Sequence, residues 1–260
     1  MIRFAEKPTK LMKYREKFLI QASKLCNLLP KNSIFQEDWK NLIILDACRY
    51  DAFKKANTIK GKLQKHFSIA SHTIVFCQKT FIKEKYDDIV CISTNRHVDR
   101  EVGHKFHDII PVWKTSWNKK IATVLPKDLI LPVLNATLKY PNKRLLIWFI
   151  QPHYPYLYYT LSPIGFLSGG QSYNFFRFFR FFFNVNLTQE ELKKRYMKNL
   201  LIVLETCKKL LPILHGKTII TSDHAECLGD YFPFTGIQTY GHYRDVRTPK
   251  MHKVPYFICE

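Results

Sequence analysis

Two short apolar runs in the sequence end in side chains that often bind divalent metal ions. Residues 218–222 form a β-branched run that is followed directly by Asp223 and His224. Far upstream, the apolar run at 42–45 ends at Asp46. Carboxylate oxygens and imidazole nitrogens are suitable ligands for Zn²⁺, Mn²⁺ and similar ions. We therefore predict that these two strand ends lie side by side and hold a metal ion between them.

Hydroxyl and imidazole side chains meet at a third junction, Ser71-His72-Thr73. It follows a candidate strand at 66–70 and precedes a predicted helix at 74–83. The free N–H groups and the dipole of a helix start favour a bound anion there, and the alternative is that Ser71 or Thr73 is only a helix cap. A cation beside a hydroxyl lowers the pKa of that hydroxyl and makes it a nucleophile.

Two histidines are further candidates for a role in chemistry. His153 follows a strongly apolar run at 144–150, and His242 lies in a predicted loop at 225–250. An imidazole in such a position can bind a substrate oxygen, protonate a leaving group or hold a second metal ion, and the sequence leaves these roles open. Three other histidines lack tight ligand spacing and are predicted to be loop residues: His97, His104 and His107.

The apolar runs alternate with helical patterns along the chain. Candidate strands lie at 42–45, 66–70, 88–94, 144–150, 218–222 and 254–258, and candidate helices at 47–56, 74–83, 129–138 and 189–211. This order predicts an α/β fold with a mostly parallel central sheet and helices on both faces. In open sheets of this kind ligands bind at the carboxyl ends of the strands, where the residues described above would lie.

The composition indicates one domain with a preference for anionic partners. The 260 residues are 46% hydrophobic, which is enough for one sizeable core. The net charge of +20 favours nucleic acid, anionic lipid, or a phosphorylated or sulfated substrate, although lysine enrichment at exposed sites explains it equally well. No run reaches the roughly 18 apolar residues of a membrane span, and no signal peptide is recognisable. Seven scattered cysteines without a C-x-x-C pair indicate reduced thiols, so we expect a cytoplasmic protein.

Two segments point to contact with a membrane surface. Residues 1–40 are basic, and apolar side chains recur there at helical steps: Leu11, Tyr14, Phe18, Ala22 and Leu25. An insertion around 157–188 contains the run 175–183, in which seven of nine residues are Phe and two are Arg. Each segment either packs on the domain or lies at an anionic membrane interface, and the Phe-rich run is alternatively a partner-binding surface. The membrane interpretation places the protein at the inner face of the membrane.

Four motifs in order resemble those of sulfatase-like hydrolases of the alkaline phosphatase superfamily. They are ILDACRYD at 44–51, QPHYPY at 151–156, TSDHAECLGD at 221–230, and Gly241-His242 followed by Arg247 and Val254-Pro255. The resemblance is to the compact archaeal and bacterial members and spans residues 42–258. It implies an alkaline phosphatase-like α/β fold in a minimal version, with 41–260 as a single domain after the basic segment 1–40.

The resemblance also implies roles for individual residues. The metal ligands would be Asp46, Thr73, Asp223, His224 and, for a second ion, His242. The nucleophile would be Thr73, with Ser71 as the reserve, and His153 and His242 would bind substrate or a second metal. The implied cofactor is one or two divalent ions, Zn²⁺, Mn²⁺, Ca²⁺ or Mg²⁺.

Departures from the family pattern narrow the expected activity. The C/S-x-P-x-R signature of true sulfatases is missing, so a formylglycine-dependent sulfatase is not expected. The resemblance implies hydrolysis or transfer of a phosphate or sulfate ester, with the phosphoester favoured, through a Thr nucleophile. We expect the substrate to be carried on a surface glycan or lipid. We expect Glu226 to be turned away from the metal by a helix that begins there. The alternatives are an inactive protein of this fold that binds anionic membrane or nucleic acid, and a nuclease.

Overall fold

The structure is a computed structural model that describes residues 10–24, 35, 38–157, 188–244 and 246–260. The helices in chain order are α1 (Lys10–Ser23), α2 (Tyr50–Ala56), α3 (Thr73–Thr80), α4 (Arg96–Val102), α5 (Val112–Thr115), α6 (Ile130–Lys139), α7 (Gln189–Leu210) and α8 (Pro249–His252). The strands are β1 (Asn41–Leu45), β2 (Gly61–Phe67), β3 (Tyr86–Ser93), β4 (Phe106–Pro111), β5 (Arg144–Phe149), β6 (Thr218–Thr221), β7 (Cys227–Tyr231), β8 (Gln238–Gly241) and β9 (Lys253–Cys259). Single 3-10 turns lie at Gly103–Lys105, Pro126–Leu129 and Leu211–Ile213.

Seven strands form the central sheet in the order β2-β9-β6-β1-β5-β3-β4. The strand β1 lies in the middle and pairs in parallel with β5 and β6, so that Ile43 is opposite Ile147 and Ile220. The strand β9 pairs antiparallel with both β6 and β2, which makes it the strand that runs against the others. The fold is therefore the predicted α/β arrangement with a mostly parallel sheet.

Side chains of the central strands point alternately to two helical layers. Ile43 and Leu45 pack with residues of α2, α6 and α7. Leu42 and Ile44 pack on the opposite face, with residues of α3 and α4. Because both faces are covered, all five residues of β1 are buried, which is why the sequence shows a continuous apolar run here rather than an alternating one. Burial of each of the four Leu and Ile side chains of β1 stabilises the fold by about 1.5–3 kcal/mol.

The helix α7 has the boundaries that its capping signals predict. The side chain of Thr188 accepts a hydrogen bond from the backbone N–H of Glu191 at 3.1 Å, as a helix cap should. Its buried side chains recur at three- and four-residue steps, among them Leu192, Tyr196 and Leu200. Two of the buried residues on α7, Tyr196 and Asn199, are polar and support the loops described below.

Three regions of the chain differ from the sequence-based prediction. The region 95–112, predicted as a loop, contains α4 and β4, and the region 225–250 contains the antiparallel hairpin β7–β8 and the helix α8. The second strand runs over Gly61–Phe67 instead of 66–70. It lies at the sheet edge, most of its side chains are polar and none of its residues is fully buried, so a search for apolar runs does not find it.

Among its described side chains, the N-terminal helix packs on the domain through a face that overlaps the predicted one only at Ala22. Leu19 is fully buried and packs with Tyr243 and Met251, whereas Tyr14 and Phe18 of the predicted apolar face are 68% and 52% exposed. The Phe-rich run at 175–183 lies outside the described residues. Among the described helices, none is long and apolar enough to cross a membrane. Six of the seven cysteines are described, and all six are free.

Candidate active site

The carboxyl ends of the parallel strands bring together polar residues from distant parts of the chain. Asp46 follows β1, Asn95 follows β3, His153 follows β5, and Asp223 and His224 follow β6. Since β2 runs in the same direction as these strands, the segment that links it to α3 begins at the same edge and delivers Thr73 to it. This is the edge at which α/β sheets of this type bind their ligands.

The hydroxyl of Thr73 lies at the centre of the first group of side chains. Its Oγ1 is 2.7 Å from Asp223 Oδ2, 3.4 Å from Asp46 Oδ2 and 3.3 Å from His224 Nε2. His224 Nε2 is in turn 3.5 Å from Asp46 Oδ1 and 3.4 Å from Asp223 Oδ2. All four residues are buried. The structure therefore brings together Asp46, Thr73, Asp223 and His224, the ligand group expected for the first ion.

Backbone and side-chain hydrogen bonds orient the two carboxylates of this group. Asp223 Oδ1 accepts hydrogen bonds from the backbone N–H groups of Ala47 and His224, which leaves Oδ2 facing Thr73. Asp46 Oδ2 accepts a hydrogen bond from Asn95 Nδ2 at 2.7 Å. Asp46 Oδ1 is buried and has no hydrogen-bond partner among the described residues. A buried carboxylate oxygen in that position suits a bound cation.

The charges of the group also favour a cation. Burial, followed by repulsion from Asp223 and Glu226, raises the pKa of Asp46 well above its usual range. Burial also raises the pKa of Glu226 to about 8, since attraction to Arg49 offsets the loss of hydration only in part. A divalent ion would neutralise this repulsion. The ligand atoms of Asp46, Asp223 and His224 all lie within 4.8 Å of one another, so these residues fit a divalent metal ion.

A second group of possible ligands lies beside the first. Ligand atoms of His153, Glu226 and His242 are also within 4.8 Å of one another. Glu226 Oε1 is 3.5 Å from His242 Nδ1, and the ring centroids of His242 and His224 are 4.2 Å apart. The expectation that Glu226 is turned away by a helix is wrong, because the strand β7 follows it and its side chain points inward, 1% exposed. Glu226 thus gives this second group a carboxylate, which the sequence analysis did not reveal.

The two serine and threonine candidates occupy different environments. Thr73 begins α3 and contacts the ligand group, as described above. The hydroxyl of Ser71 instead donates to the backbone carbonyl of Tyr243 at 2.6 Å. Of the two hydroxyls, that of Thr73 therefore contacts the ligand group, while Ser71 attaches the start of α3 to the segment that carries His242.

A clamp built on Arg49 fixes the segment that contains Glu226. The guanidinium contacts Asp51 at 2.7 Å and Asp230 at 2.5 Å, and it also donates to the backbone carbonyl of Glu226 at 3.1 Å. Burial disfavours the charged guanidinium, but the hydrogen bonds to Asp51 and Asp230 outweigh it and raise the pKa of Arg49. Burial likewise disfavours the charged carboxylate of Asp51, but its contact with the Arg49 guanidinium lowers the pKa of Asp51 to about 2. The hydroxyl of Tyr196 accepts from the backbone N–H of Arg49 at 2.9 Å.

A second clamp, Asn199 on α7, fixes the segment that contains His153. Its side-chain amide donates to the backbone carbonyls of Pro152, His153 and Pro155, at 3.1–3.3 Å. Its carbonyl oxygen accepts from the backbone N–H of Leu157 at 2.9 Å. Nothing in the sequence singles out Asn199, since it is one polar residue on the buried face of a long helix.

An open pocket of about 480 Å³, counting space open to solvent, gives access to this site. Its lining includes the expected residues Asp46, Thr73, His153 and His242. It also includes His72, which belongs to the junction at 71–73 named in the sequence analysis. The remaining lining residues were not candidates for the site: Thr94, Asn95, Arg96, His97, Trp117 and Ile150. His97 was predicted to lie in a loop, yet it belongs to α4 and faces the pocket, since α4 starts directly after the strand end. Burial lowers the pKa of His97 to about 4 and that of His72 to about 3.

Comparison of the sequence with models of protein families and with curated proteins finds no match. Solved structures are similar in fold. Lipooligosaccharide phosphoethanolamine transferase A from Neisseria meningitidis, an integral membrane protein, is 14% identical, with a TM-score of 0.56 over 96% of this chain and 53% of that chain. Its soluble domain has the same identity and TM-score over 88% of this chain and 78% of that chain. The C-terminal periplasmic domain of EcEptC from Escherichia coli, in complex with Zn, is 14% identical, with a TM-score of 0.52 over 89% of this chain and 77% of that chain.

These similarities bear on the fold. The chain has the alkaline phosphatase-like α/β fold predicted from its motifs, with the order and directions of strands given above. It spans about half the length of the full membrane enzyme.

Proposed function

We propose that the protein is a metal-dependent enzyme that hydrolyses or transfers a phosphoester through a covalent intermediate on Thr73. The observation that carries this proposal is the position of the Thr73 hydroxyl, within 3.4 Å of Asp46, Asp223 and His224 at the start of a helix. Few structural roles require a hydroxyl between two buried carboxylates and an imidazole. Such a group is suited to attack on an electrophilic phosphorus atom.

The chemistry takes two balanced steps. Thr73 Oγ1 loses its proton and attacks phosphorus, the bond from phosphorus to the ester oxygen breaks, and the alcohol leaves with one proton. Water then attacks the phosphothreonine, which releases phosphate and restores the Thr73 hydroxyl. If a second alcohol takes the place of water, the same sequence transfers the group instead of hydrolysing it.

The residues around Thr73 divide the remaining tasks. Asp46, Asp223 and His224 would hold the first divalent ion, and His153, Glu226 and His242 would hold a second one. Such ions lower the pKa of a bound hydroxyl and offset charge on phosphoryl oxygens. Asn95 fixes the orientation of Asp46. His224 Nδ1 and His153 Nδ1 face the backbone carbonyls of Ala225 and Tyr154, so Nε2 of each ring carries the lone pair.

The similarity in fold to phosphoethanolamine transferases supports a phosphoester substrate carried on a lipid or glycan. The net charge of +20 supports an anionic substrate in the same way. Zinc in the complex of EcEptC supports Zn²⁺ as the first metal to test. The cytoplasmic location at the inner face of the membrane, and contact with anionic lipid, remain predictions.

A substrate panel with purified protein tests the proposed function. We expect loading with Zn²⁺ or Mn²⁺ to give hydrolysis of an aryl phosphate, an aryl phosphodiester or an aryl phosphonate ester, with less or no activity toward an aryl sulfate. Thr73→Ala should reduce the rate by about a thousandfold or more, because no other hydroxyl lies in the ligand group. Ser71→Ala is the matched control and should keep most of the activity.

Two outcomes would overturn the proposal. Full activity in the double variant Thr73→Ala/Ser71→Ala would exclude the covalent mechanism. A protein that takes up no stoichiometric divalent metal and instead binds anionic vesicles or oligonucleotides in a salt-sensitive manner would be a non-catalytic binding protein of this fold.

A further inference from the structure

The histidine that precedes the candidate nucleophile differs from the other site histidines in the role of its ring nitrogens. His72 is the N-cap residue of α3, with φ −159° and ψ 138°, and its Nδ1 accepts a hydrogen bond from the backbone N–H of Ile74 at 3.2 Å. An acceptor nitrogen carries no proton, so the neutral ring of His72 carries its proton on Nε2.

Two other histidines of the site, His224 and His153, contact a backbone group through Nδ1 and have the opposite arrangement. Nδ1 of His224 lies 3.1 Å from the carbonyl oxygen of Ala225, and Nδ1 of His153 lies 2.5 Å from that of Tyr154. A carbonyl oxygen only accepts, so these rings carry the proton on Nδ1 and leave Nε2 with a lone pair. His224 and His153 can therefore bind a metal through Nε2, whereas His72 offers a hydrogen-bond donor there.

The ring of His72 lies at the pocket where the reaction would take place. It lines the same pocket as Thr73, and its centroid is 5.3 Å from that of His242 and 6.4 Å from that of His224. Because His72 and Thr73 are adjacent at the start of α3 and line one pocket, a group bonded to Thr73 Oγ1 would share that pocket with the His72 ring.

We propose that His72 Nε2–H donates a hydrogen bond to a non-bridging oxygen of the phosphoryl group on Thr73. This assignment rests on the proposed function and extends it. A donor fixed before substrate arrives stabilises charge that develops on the oxygen during transfer. His72 is held in this orientation because capping of α3 occupies its other nitrogen, so one side chain serves the fold and the reaction together.

Two substitutions separate these roles. Asn in place of His72 keeps a side-chain acceptor for the helix cap, and Asn is among the preferred residues there, but it is too short to place a donor at the Nε2 position. Gln in place of His72 carries an amide N–H that reaches the region of Nε2. His104→Asn changes an exposed histidine and is the control for the substitution itself.

The readouts are binding of orthovanadate, which imitates the transferring phosphoryl group, and kcat/KM for an aryl phosphate, each measured on metal-loaded protein of verified metal content. We expect His72→Asn to keep its metal and to weaken vanadate binding and lower kcat/KM by about tenfold to a hundredfold. His72→Gln should recover part of this loss, and His104→Asn should match the unsubstituted protein.

The results distinguish failure of this assignment from failure of the proposed function. If the unsubstituted protein hydrolyses the ester but His72→Asn binds vanadate equally well, the assignment to His72 is wrong. It is also wrong if His72→Gln, with full metal content, shows no recovery over His72→Asn. If the unsubstituted protein neither binds vanadate nor acts on any phosphoester, the proposed function itself is wrong.

Discussion

Thr73 Oγ1 and Asp223 Oδ2 are 2.7 Å apart although 150 residues separate them in the chain. The contact exists because α3 starts and β6 ends at the same edge of the sheet. Asp223 is one of three buried carboxylates there, together with Asp46 and Glu226. Without a metal ion the negative charges of these three groups repel one another. In the proposed function Asp46 and Asp223 would bind one ion and Glu226 a second one.

Replacement of Asp223 by Asn should therefore have opposite effects with and without metal. We expect Asp223→Asn to lose stoichiometric metal and nearly all activity. Without metal the variant should be more stable than the unsubstituted protein by about 1–2 kcal/mol. The reason is that the charge of Asp223 repels Asp46 and raises the pKa of Asp46 in the fold, and the substitution removes this repulsion. Metal analysis and urea denaturation in the presence of a chelator measure both effects.

Asp87→Asn is the matched control, because Asp87 is exposed and remote from the ligand group. It should change neither metal content nor stability by more than about 0.5 kcal/mol. A metal-free Asp223→Asn variant that is clearly less stable than the unsubstituted protein would show that the carboxylates do not repel one another in the fold.

The stability of the metal-free protein should fall as pH rises from about 6.5 to 8. Burial raises the pKa of Glu226 to about 8 in the fold, against about 4.3 in an unfolded chain. Between these values the folded state binds more protons than the unfolded state, so the stabilising contribution of protonated Glu226 is lost as pH rises. The slope should reach about 1.4 kcal/mol per pH unit for this group.

Site histidines whose pKa is lowered by burial do not mask this effect in that pH range. Burial lowers the pKa of His153 to about 4, so its stabilising contribution is lost only as pH falls below about 6.5. Glu226→Gln should flatten the slope between pH 6.5 and 8, and Glu84→Gln, an exposed control, should leave it unchanged. An unchanged slope in Glu226→Gln would contradict the prediction. Urea denaturation at several pH values, with chelator present, measures these slopes.

The parts of the site that the sequence predicts are those attached to strong local signals. Asp46 and Asp223 directly follow continuous apolar runs, and the carboxyl ends of parallel strands share one edge of a sheet. The sequence pattern alone therefore predicts that both residues lie at this edge. The long helix α7 is predicted within one residue at its end because capping and periodicity agree over six turns.

The parts that the sequence does not predict depend on contacts between distant segments. Asn95 and His97 follow a predicted strand, but the direction in which their side chains point depends on where α4 begins. The helix α4 is too short to show a clear periodicity in the sequence. Glu226 is two residues beyond the ligand pair, and only the hairpin that begins at Cys227 decides which way its side chain points. Asn199 supports His153 across 46 residues, a relationship that no local pattern encodes.

The N-terminal helix α1 gives a prediction for membrane binding. Docking through Leu19 leaves Tyr14 and Phe18 exposed on a helix that also carries several lysines. We expect the protein to bind vesicles of anionic phospholipid and to be released by salt. Tyr14→Ser/Phe18→Ser should weaken binding about tenfold, because two apolar side chains can no longer be buried in the interface. Vesicle sedimentation measures the affinity.

The control for this variant is Ile82→Ser, since Ile82 is 77% exposed and lies two residues beyond the end of α3, away from α1 in the sequence. It removes a comparable apolar side chain and should leave vesicle binding unchanged. Equal binding by the α1 variant and the unsubstituted protein would assign any membrane affinity to another part of the chain.

The buried amide of Asn199 gives a prediction for a residue outside the pocket. In Asn199→Leu the new side chain is similar in volume to asparagine but forms no hydrogen bonds. It leaves three backbone carbonyls and the N–H of Leu157 without the partner that Asn199 provides. We expect it to destabilise the protein by about 2–4 kcal/mol, the cost of unsatisfied buried polar groups. Because the loop it supports carries His153, activity should fall even where the variant is fully folded. Urea denaturation and kcat/KM for an aryl phosphate measure the two effects.

Lys193→Ala on the exposed side of the same helix is the matched control for Asn199→Leu and should be close to neutral. Asn199→Asp refines the test, because the carboxylate can still accept from Leu157 N–H but can no longer donate to the carbonyls of Pro152, His153 and Pro155. If the donated hydrogen bonds position His153, Asn199→Asp should lose as much activity as Asn199→Leu. Retention of full activity by Asn199→Asp would show instead that the contact with Leu157 alone holds the loop.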